Sequence, residues 1–539
     1  MNNFTRRNFI GLTGASAAVL GLAACGGTGS SSSSSSSSSS QAGTEGGGTI
    51  TAGTAYSTQN YDPSSTSSAL ACGTNWQVVE GLYGIDFHDY STFNELAADE
   101  PKKVDDTTFE VTLRDGAKFS DGNAVTPEDV IESFQRSSGK AADWSGNIYT
   151  SMLAPIADIQ KKDDKTLTIT TNVPNFSLIK ERLAIIRVVP ASSTKDEMTK
   201  KPIGSGPWMY DTISDSSLEL VPNPNYNGAH AAKDEKIHYD ILKDATARLT
   251  AEQEGSTLVM EMVTADAVDT LTNLGCNIDK VQGFGTRFMM FDVAKAPWND
   301  KRVRQAVMYA LDYDKMINNA FAGLAAAPTC YLPENFTNYH KASTVYTHDP
   351  DKAKSLLAEA GITPGAVQLR TTDNEQVVAM ATQVKEDLDA LGFNVTIATD
   401  TSAATYAAID AGDNSYDLLL APGDPSCFGA DPDLLMNWWY GDNIWMKTRC
   451  PWNTSDEWKQ LQSLMSEALT QSGSEQQETW NKCFDLVADN CVLYPVLQVQ
   501  TCTGSWQDTS KAPNGVAIKN FKGIGTTGLS FIDAVTVSA

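Results

Sequence analysis

The cysteines, histidines and acidic residues are the side chains that could carry out chemistry, and their spacing offers little support for a catalytic or metal centre. The five histidines and nine cysteines form no CxxC, HxH or HxxxH motif, so zinc or thioredoxin-like chemistry lacks support. No GxSxG motif occurs, so the nucleophile elbow of an α/β-hydrolase is absent. Asp431 and Asp433 flank Pro432, a spacing that does not fix the carboxylate separation of a glycosidase. We therefore predict a protein that is not an enzyme and has no metal or other cofactor.

A glycine-rich segment, residues 523–528 (GIGTTG), matches the dinucleotide-binding pattern GxGxxG. Only 11 residues follow it, too few for the βαβ unit that would give the motif meaning. The segment therefore predicts a turn.

Eight cysteines besides Cys25 leave two alternatives open. Export from the cell would permit disulfides, and Cys483–Cys491 and Cys427–Cys450 are the nearer pairs in sequence. Export of an already folded chain would instead leave buried free thiols.

Composition limits the class of protein. The 539 residues are 41% apolar, with 40 Lys and Arg against 66 Asp and Glu, which suits a globular chain with more than one core. A net charge of −26 offers no basic surplus for nucleic acid. The only long apolar stretch, residues 9–24, has roughly 16 residues where a membrane-spanning helix needs about 20. We expect no integral membrane span.

The first 24 residues are typical of an export signal. Arg6 and Arg7 precede the apolar stretch in the layout of a twin-arginine signal, and the stretch ends in 22–26 (LAACG), which resembles a bacterial lipobox. This resemblance implies that Cys25 carries lipid and becomes the mature N-terminus. A serine run over 30–40 within a Gly-rich stretch then predicts a flexible tether over 25–48.

Helices alternate with apolar strands along the rest of the chain, which predicts an α/β protein. Thr126 and Asp349 each stand before a proline as candidate helix N-caps, and Gly361 follows the second helix as a C-cap. The predicted strands cover 107–113, 117–119, 393–397, 416–421 and 496–499, and the predicted helices start at 127 and cover 297–316, 350–360 and 377–391.

Several blocks, taken in order, resemble the peptide/nickel-type (family 5) extracellular solute-binding proteins of ABC importers. The blocks are 80–82 (EGL), 116–122 (GAKFSDG), 125–130 (VTPEDV), 202–208 (PIGSGPW), 297–306 (PWNDKRVRQA) and 349–361 (DPDKAKSLLAEAG). The resemblance covers residues 49–539. Each block alone is a weak signal, and the ordered set is a strong one.

The resemblance implies a two-lobed, periplasmic-binding-protein-like (Venus flytrap) α/β fold with an extra subdomain inserted in lobe I. We expect lobe I at 49–81, 203–292 and 493–539, the inserted subdomain at 82–202, and lobe II at 293–492. The crossings between lobes are expected near 291–293 and 494–496.

The resemblance also implies a ligand site between the lobes. In the family an aspartate pairs with the α-amino group of a bound peptide, and Asp424 is the best positional match, with Asp431 as the alternative. Asp424-Pro425 could equally be a turn initiator. The further cleft candidates are Trp438, Trp439, Tyr149, Trp144, Tyr56, Arg287 and Phe288.

We therefore predict a monomeric binding protein, held to the extracytoplasmic membrane face by lipid alone, that delivers oligopeptides to an ABC permease. Within the family a nickel chelate, haem, an opine or an oligosaccharide are alternative ligands. A lipid-anchored hydrolase or a sensory ectodomain is a more remote alternative: no positioned nucleophile and base, and no following membrane helix, is found in the sequence.

Overall fold

In the part of the chain that the structure describes, one mixed sheet of 11 strands forms the frame, and four smaller sheets accompany it. The structure, a computed structural model, describes residues 45–538 except 87–88, 145, 414, 523 and 526–527. The strands are β1 (Thr49–Thr54), β2 (Tyr83–Ile85), β3 (Thr92–Asn94), β4 (Lys102–Lys103), β5 (Thr108–Thr112), β6 (Ile156–Lys161), β7 (Thr166–Thr171), β8 (Trp208–Ile213), β9 (Ser217–Pro222), β10 (Lys236–Ile241), β11 (Val259–Glu261), β12 (Asn277–Phe291), β13 (Ala325–Ala326), β14 (Ala366–Thr372), β15 (Asn394–Asp400), β16 (Leu418–Gly423), β17 (Leu493–Ser505), β18 (Val516–Lys519), β19 (Ile524–Gly525), β20 (Gly528–Leu529) and β21 (Val535–Ser538).

Helices cover the sheets and connect the strands. They are α1 (Ala69–Val78), α2 (Pro127–Ser138), α3 (Thr150–Leu153), α4 (Ile179–Ala184), α5 (Lys195–Lys200), α6 (Ala245–Glu254), α7 (Ala265–Leu274), α8 (Lys301–Ala310), α9 (Tyr313–Phe321), α10 (Pro350–Ala360), α11 (Glu375–Ala390), α12 (Ser402–Asp410), α13 (Pro432–Tyr440), α14 (Asp456–Ala468) and α15 (Gly473–Asn490). A 3₁₀ turn at Pro425–Phe428 and a π-helical turn at Trp445–Arg449 complete the set. No helix of the described chain is long and apolar enough to cross a membrane.

Two long antiparallel strands, β12 and β17, lie in the middle of the large sheet, and we call them the central strand pair. The strand order is β15-β14-β16-β12-β17-β11-β1-β10-β9-β8, with β13 also paired to β17. The register slips between Gln282 and Thr286, and from Thr286 onward β12 also pairs with β16. Strands on both sides of the pair include parallel neighbours, β1–β10 and β14–β15, as an α/β fold requires.

A separate sheet of order β4-β5-β7-β6 lies within the range expected for the inserted subdomain. All its pairings are antiparallel, and helix α2 packs against β6. The lobe boundaries given above remain a prediction.

The helix ends predicted from capping residues are confirmed. The Asp129 carboxylate accepts hydrogen bonds from the Thr126 backbone N–H at 2.8 Å and from its hydroxyl at 2.7 Å, which fixes the start of α2. The Asp349 side chain accepts from the Lys352 N–H at 2.9 Å, and Gly361 ends α10 in the left-handed conformation at φ +69°. Strands β5, β15, β16 and β17 and helix α11 also form where the sequence predicts them.

Two predicted elements differ in the structure. Residues 297–316 do not form one helix, because the chain leaves helical geometry at Leu311 and the Asp312 side chain starts α9 by accepting from the Lys315 N–H at 3.1 Å. Residues 117–119 form only an isolated bridge between Lys118 and Ala124, since no strand runs beside them for longer pairing.

The cysteines whose side chains the structure describes beyond residue 44 are buried free thiols: Cys72, Cys276, Cys330, Cys450, Cys483, Cys491 and Cys502. The Cys483–Cys491 pair is therefore not bonded in this structure. The Cys427 side chain lies outside the described part, as do Arg6, Arg7 and Cys25.

Candidate ligand-binding site

Asp424 stands at the end of β16, beside the central strand pair. It is the N-cap of the 3₁₀ turn Pro425–Phe428, and its Oδ1 accepts hydrogen bonds from the Ser426 N–H at 2.9 Å and hydroxyl at 2.6 Å. Its other oxygen, Oδ2, lies over Gly285 of β12, where an added Cβ would sit 3.4 Å away. Because Gly285 has no side chain, β12 leaves room for Oδ2 of this half-buried carboxylate on that side.

Arg287 lies on β12 opposite Pro422, two residues before Asp424. Its side chain is 8% exposed, and Nη1 and Nη2 donate to the Thr286 carbonyl and to the Gln376 Oε1. The buried Nε has no hydrogen-bond partner, and no carboxylate of the described residues forms a salt bridge with this guanidinium. Burial lowers the pKa of Arg287 to about 10, against the opposing charges of Tyr56 and Asp424.

Tyr56 follows β1 and lies within electrostatic range of Arg287 and Asp424. Its side chain is 40% exposed, yet the pKa of its hydroxyl is raised to about 12, first by withdrawal from water and then by the Glu261 carboxylate. Glu261 holds the backbone before Tyr56 by accepting from the Ala55 N–H at 2.8 Å. Tyr56, Arg287 and Asp424 act on one another electrostatically, so β1, β12 and β16 bring three of the predicted residues together.

Three predicted aromatic residues belong to the packing beneath this group, namely Phe288, Trp438 and Trp439. Trp439 is fully buried, with its ring centroid 5.3 Å from Phe288, and its Nε1 has no hydrogen-bond partner. A Cβ added at Gly423 would lie 2.5 Å from Trp439 Cζ2, so this indole fills the space below the end of β16. Trp438 is half-buried and contacts Phe428 at 5.5 Å between centroids.

The two remaining aromatic candidates, Tyr149 and Trp144, pack in different parts of the protein. The buried ring of Tyr149 meets the Phe428 ring edge-on at 5.1 Å, so it lies next to the 3₁₀ turn that Asp424 caps. Trp144 belongs to a different core cluster, where its Nε1 donates to the Ser64 hydroxyl at 2.8 Å and Arg136 lies over its ring.

Asp431 belongs to a buried ion cluster centred on Arg182. Its two oxygens accept from Arg182 Nη2 at 2.7 Å and Nε at 3.2 Å, and Oδ1 also caps α13 through the Leu434 N–H at 2.8 Å. Asp433 accepts from the same Nη2 at 2.7 Å. Burial raises the pKa of Asp433, and the Arg182 charge offsets that rise only in part. Both Asp431 oxygens are thus engaged within the protein.

A small cavity, with room for little more than a water molecule, adjoins the 3₁₀ turn. Its walls include residues from four separate stretches of the chain, namely Asn75 and Trp76 of α1, Tyr149, Arg187 and Phe428. Sequence reasoning missed Trp76, Arg187 and Phe428, because no motif or spacing marks them. Among the described residues no group of three or more His, Cys, Asp or Glu side chains could hold a metal ion.

Comparison with known proteins assigns the fold. Residues 92–447 match the family model described as "Bacterial extracellular solute-binding proteins, family 5 Middle". The chain is similar to the probable D,D-dipeptide-binding periplasmic protein DdpA of Escherichia coli, with 25% identity over 75% of this chain and 78% of that protein. It is 27% identical to heme-binding protein A of Haemophilus influenzae over 52% of this chain and 56% of that protein, so it spans little more than half of that relative.

Among solved structures, the chain is similar to the periplasmic binding protein DppA of Helicobacter pylori in complex with the peptide STSA. The TM-score is 0.77 at 19% identity, covering 92% of this chain and 99% of that one. The likeness shows the mixed α/β periplasmic-binding-protein fold that the sequence predicts.

Proposed function

The chain belongs to family 5 of the bacterial extracellular solute-binding proteins, which serve ABC transporters and are not enzymes, and from this premise we propose that it captures peptides by their α-amino group at Asp424. A nickel chelate, haem, an opine or an oligosaccharide are the alternative ligands within the family. Two of the similar proteins support a peptide ligand. The E. coli protein is named as a probable D,D-dipeptide-binding protein, and the H. pylori protein is described in complex with a peptide.

One observation carries this proposal: the Asp424 carboxylate lies at the end of β16 beside the central strand pair, next to Gly285 and within electrostatic range of Tyr56 and Arg287. A carboxylate beside the central strand pair can bind an ammonium group when the two expected lobes close around the ligand. An ammonium needs an acceptor-rich partner when it leaves water, because an unpaired buried charge costs several kcal/mol.

The delivery step follows from the expected two lobes. Closure by hinge bending at the central strand pair would present a closed shape that an ABC permease reads. Lipid on Cys25, after export directed by Arg6 and Arg7, would keep the binder close to that permease and raise its effective concentration there.

The test uses a variant that keeps the local fold. Asp424→Asn retains an oxygen for the Ser426 N–H and removes the charge, so the 3₁₀ turn should persist. Calorimetry with a free peptide should show a loss of about 2–5 kcal/mol of binding free energy, the usual effect of removing one partner of a buried charge pair. Asp164→Asn, in an exposed turn, is the matched control and should bind as the wild type does.

N-acetylation of the peptide gives the complementary measurement. It should weaken binding to the wild type by a comparable amount and leave binding to Asp424→Asn almost unchanged, because the partner charge is already gone. Wild-type peptide affinity in Asp424→Asn would show that the amine is not recognised here.

A further inference from the structure

Tyr90 joins two parts of the chain beside the candidate site. It lies in the turn between β2 and β3, within the expected inserted subdomain. Its hydroxyl lies 3.0 Å from the hydroxyl of Ser426, which belongs to the 3₁₀ turn 336 positions further along the chain. Its ring packs on Phe336, with 5.2 Å between the ring centroids. Because Ser426 and Phe336 both belong to the expected lobe II, Tyr90 makes a polar and an aromatic contact between the subdomain and that lobe.

The hydrogen bonds at Ser426 have a defined direction. A serine hydroxyl has one proton, and Ser426 donates it to Asp424 Oδ1 at 2.6 Å, because a carboxylate only accepts. The contact with Tyr90 therefore uses a lone pair of the serine oxygen, which makes the Tyr90 hydroxyl the donor. Two successive hydrogen bonds thus run from Tyr90 through Ser426 to Asp424, and such neighbouring bonds polarise one another.

Tyr90 adopts an unusual backbone conformation to make this contact. Its φ is +61°, in the left-handed region that residues with a side chain rarely adopt. Its N–H donates to the Asp86 carbonyl at 2.6 Å, and the Asp86 side chain accepts from Lys522 at 2.6 Å. Lys522 belongs to the expected lobe I, so the turn is fixed to that lobe while the Tyr90 side chain contacts the other. Strained residues held in this way are often functional.

The contact supports the orientation of the Asp424 carboxylate. Ser426 donates to Asp424 Oδ1 from its N–H at 2.9 Å and from its hydroxyl at 2.6 Å. The Tyr90 hydroxyl in turn fixes the direction of the Ser426 hydroxyl. When the expected lobes separate, Tyr90 moves away with the subdomain and this support is lost. A contact made only in the closed state favours that state and slows its opening.

We propose that Tyr90 is a positioning residue for the ligand site, which acts on Asp424 through Ser426 in the closed state and slows the release of a bound amine. This inference rests on the proposed function, since it takes the amine to lie at Asp424. Tyr90 itself does not touch the ligand in this proposal.

The experiment measures rate constants by stopped-flow tryptophan fluorescence on the mature chain, with alanyl-phenylalanine and alanyl-alanyl-phenylalanine as probes. Tyr90→Phe keeps the ring on Phe336 and removes only the hydroxyl. We expect the dissociation rate constant to rise about 3- to 10-fold, the usual effect of one hydrogen bond. The association rate constant should stay within about twofold of the wild-type value, because the contact forms after the ligand enters.

Tyr339→Phe is the matched control. Tyr339 is also half-buried, and its hydroxyl lies 2.8 Å from the hydroxyl of Thr329, but both residues belong to the expected lobe II. This variant should leave both rate constants unchanged. Urea denaturation of each variant shows whether folding is affected, since a role of the Tyr90 hydroxyl in packing alone would lower the urea midpoint without changing the rate of release.

A double variant tests whether Tyr90 acts through Ser426. Ser426→Ala should also speed the release of the peptides, because it removes the hydroxyl between Tyr90 and Asp424. Adding Tyr90→Phe to Ser426→Ala should have no further effect, since the Tyr90 hydroxyl has already lost its acceptor. Additive effects of the two substitutions would show that Tyr90 acts by another route and would overturn the inference.

The outcomes distinguish the two proposals. If the wild type binds these peptides through Asp424 and Tyr90→Phe releases them at the wild-type rate, the role of Tyr90 is overturned and the proposed function stands. If the wild type binds neither peptide, the proposed function is overturned and this inference with it.

Discussion

Arg182 and Asp431 form a buried ion pair between helices α4 and α13, with 2.7 Å between Nη2 and Oδ1 and side-chain exposures of 0% and 4%. The two residues are 249 positions apart in the chain. Burial acts to lower the pKa of the Arg182 guanidinium, but Asp431 and Asp433 outweigh it and raise that pKa. The pair ties the segment expected to be the inserted subdomain to the expected lobe II, as the Tyr149–Phe428 contact also does.

We expect this ion cluster to hold the two segments together in the absence of ligand. The triple variant Arg182→Met, Asp431→Asn, Asp433→Asn removes all three charges and keeps an oxygen to cap α13. Small-angle scattering without ligand should give it a larger radius of gyration than the wild type. An unchanged radius would show that other contacts keep the segments closed.

The single variant Arg182→Met should behave differently, because it leaves two carboxylates buried without their cation. We expect it to lower the free energy of unfolding by about 3–5 kcal/mol. Urea denaturation measures this, with Lys161→Met as the control. Lys161 pairs with the exposed Asp164, so its removal should cost about 0–1 kcal/mol.

Residues 202–208 pack so closely against the end of α1 that positions 204 and 206 require glycine. A Cβ added at Gly204 would lie 1.9 Å from the Val78 carbonyl oxygen, and one at Gly206 would lie 2.4 Å from the Gln77 oxygen. Both obstacles are backbone atoms at the end of α1, which cannot rotate away. Gly204→Ala should therefore cost about 3 kcal/mol or more in unfolding free energy, near the upper end for overpacking.

Gly365→Ala is the matched control for this substitution, since nothing lies within 4 Å of its added Cβ. It should leave the urea midpoint close to that of the wild type. Equal midpoints for the two variants would contradict the close approach of the two backbones.

The local parts of the fold were predictable because their causes are local. Asp349, Pro350 and Gly361 define α10 through a cap at each end, and neither cap depends on the rest of the chain. The break at Leu311 was missed because the apolar spacing continues across it, and Asp312 starts a new helix within that spacing.

The candidate site was predictable only in part. Asp424 was named because the family resemblance places an aspartate after the buried strand at 416–421, and its role in binding stays a prediction. Arg187 was missed because its partners, Trp76 and Glu95, come from other stretches of the chain, and only the folded topology brings them together. The sequence does not show where each aromatic candidate packs. Trp439 packs against Phe288 and Tyr149 packs against Phe428, and nothing in the sequence distinguishes these two environments.

Lipidation of Cys25 is testable in cells. Cys25→Ala should give an exported protein that is not labelled by palmitate and is released from the membrane, because each buried CH₂ of a lipid chain contributes about 0.8 kcal/mol to anchoring. Cys72→Ala, at a buried thiol, is the control and should keep both label and membrane fraction. Retention of Cys25→Ala on the membrane would refute the anchor.

Glu252 should make the stability of the protein fall as pH rises. This carboxyl is fully buried on α6, accepts hydrogen bonds from the Thr257 hydroxyl at 2.7 Å and the Cys276 thiol at 3.7 Å, and forms no salt bridge with any described residue. Burial raises the pKa of Glu252 to about 8, against the lowering effect of those two bonds.

The sign follows from proton binding. Between about pH 4.5 and pH 8 the folded protein keeps a proton on Glu252 that the unfolded chain has released, so unfolding becomes easier with each unit of pH. At about 1.4 kcal/mol per pH unit, the free energy of unfolding falls by on the order of 4 kcal/mol over this window. Urea denaturation at pH 5, 6, 7 and 8 should show this decline in the wild type and in Glu254→Gln, an exposed neighbour on the same helix. In Glu252→Gln the decline should be smaller, because an amide has no proton to release in this range, while other buried carboxyls with raised pKa values such as Glu80 still contribute. An unaltered decline would assign the pH dependence to those other groups.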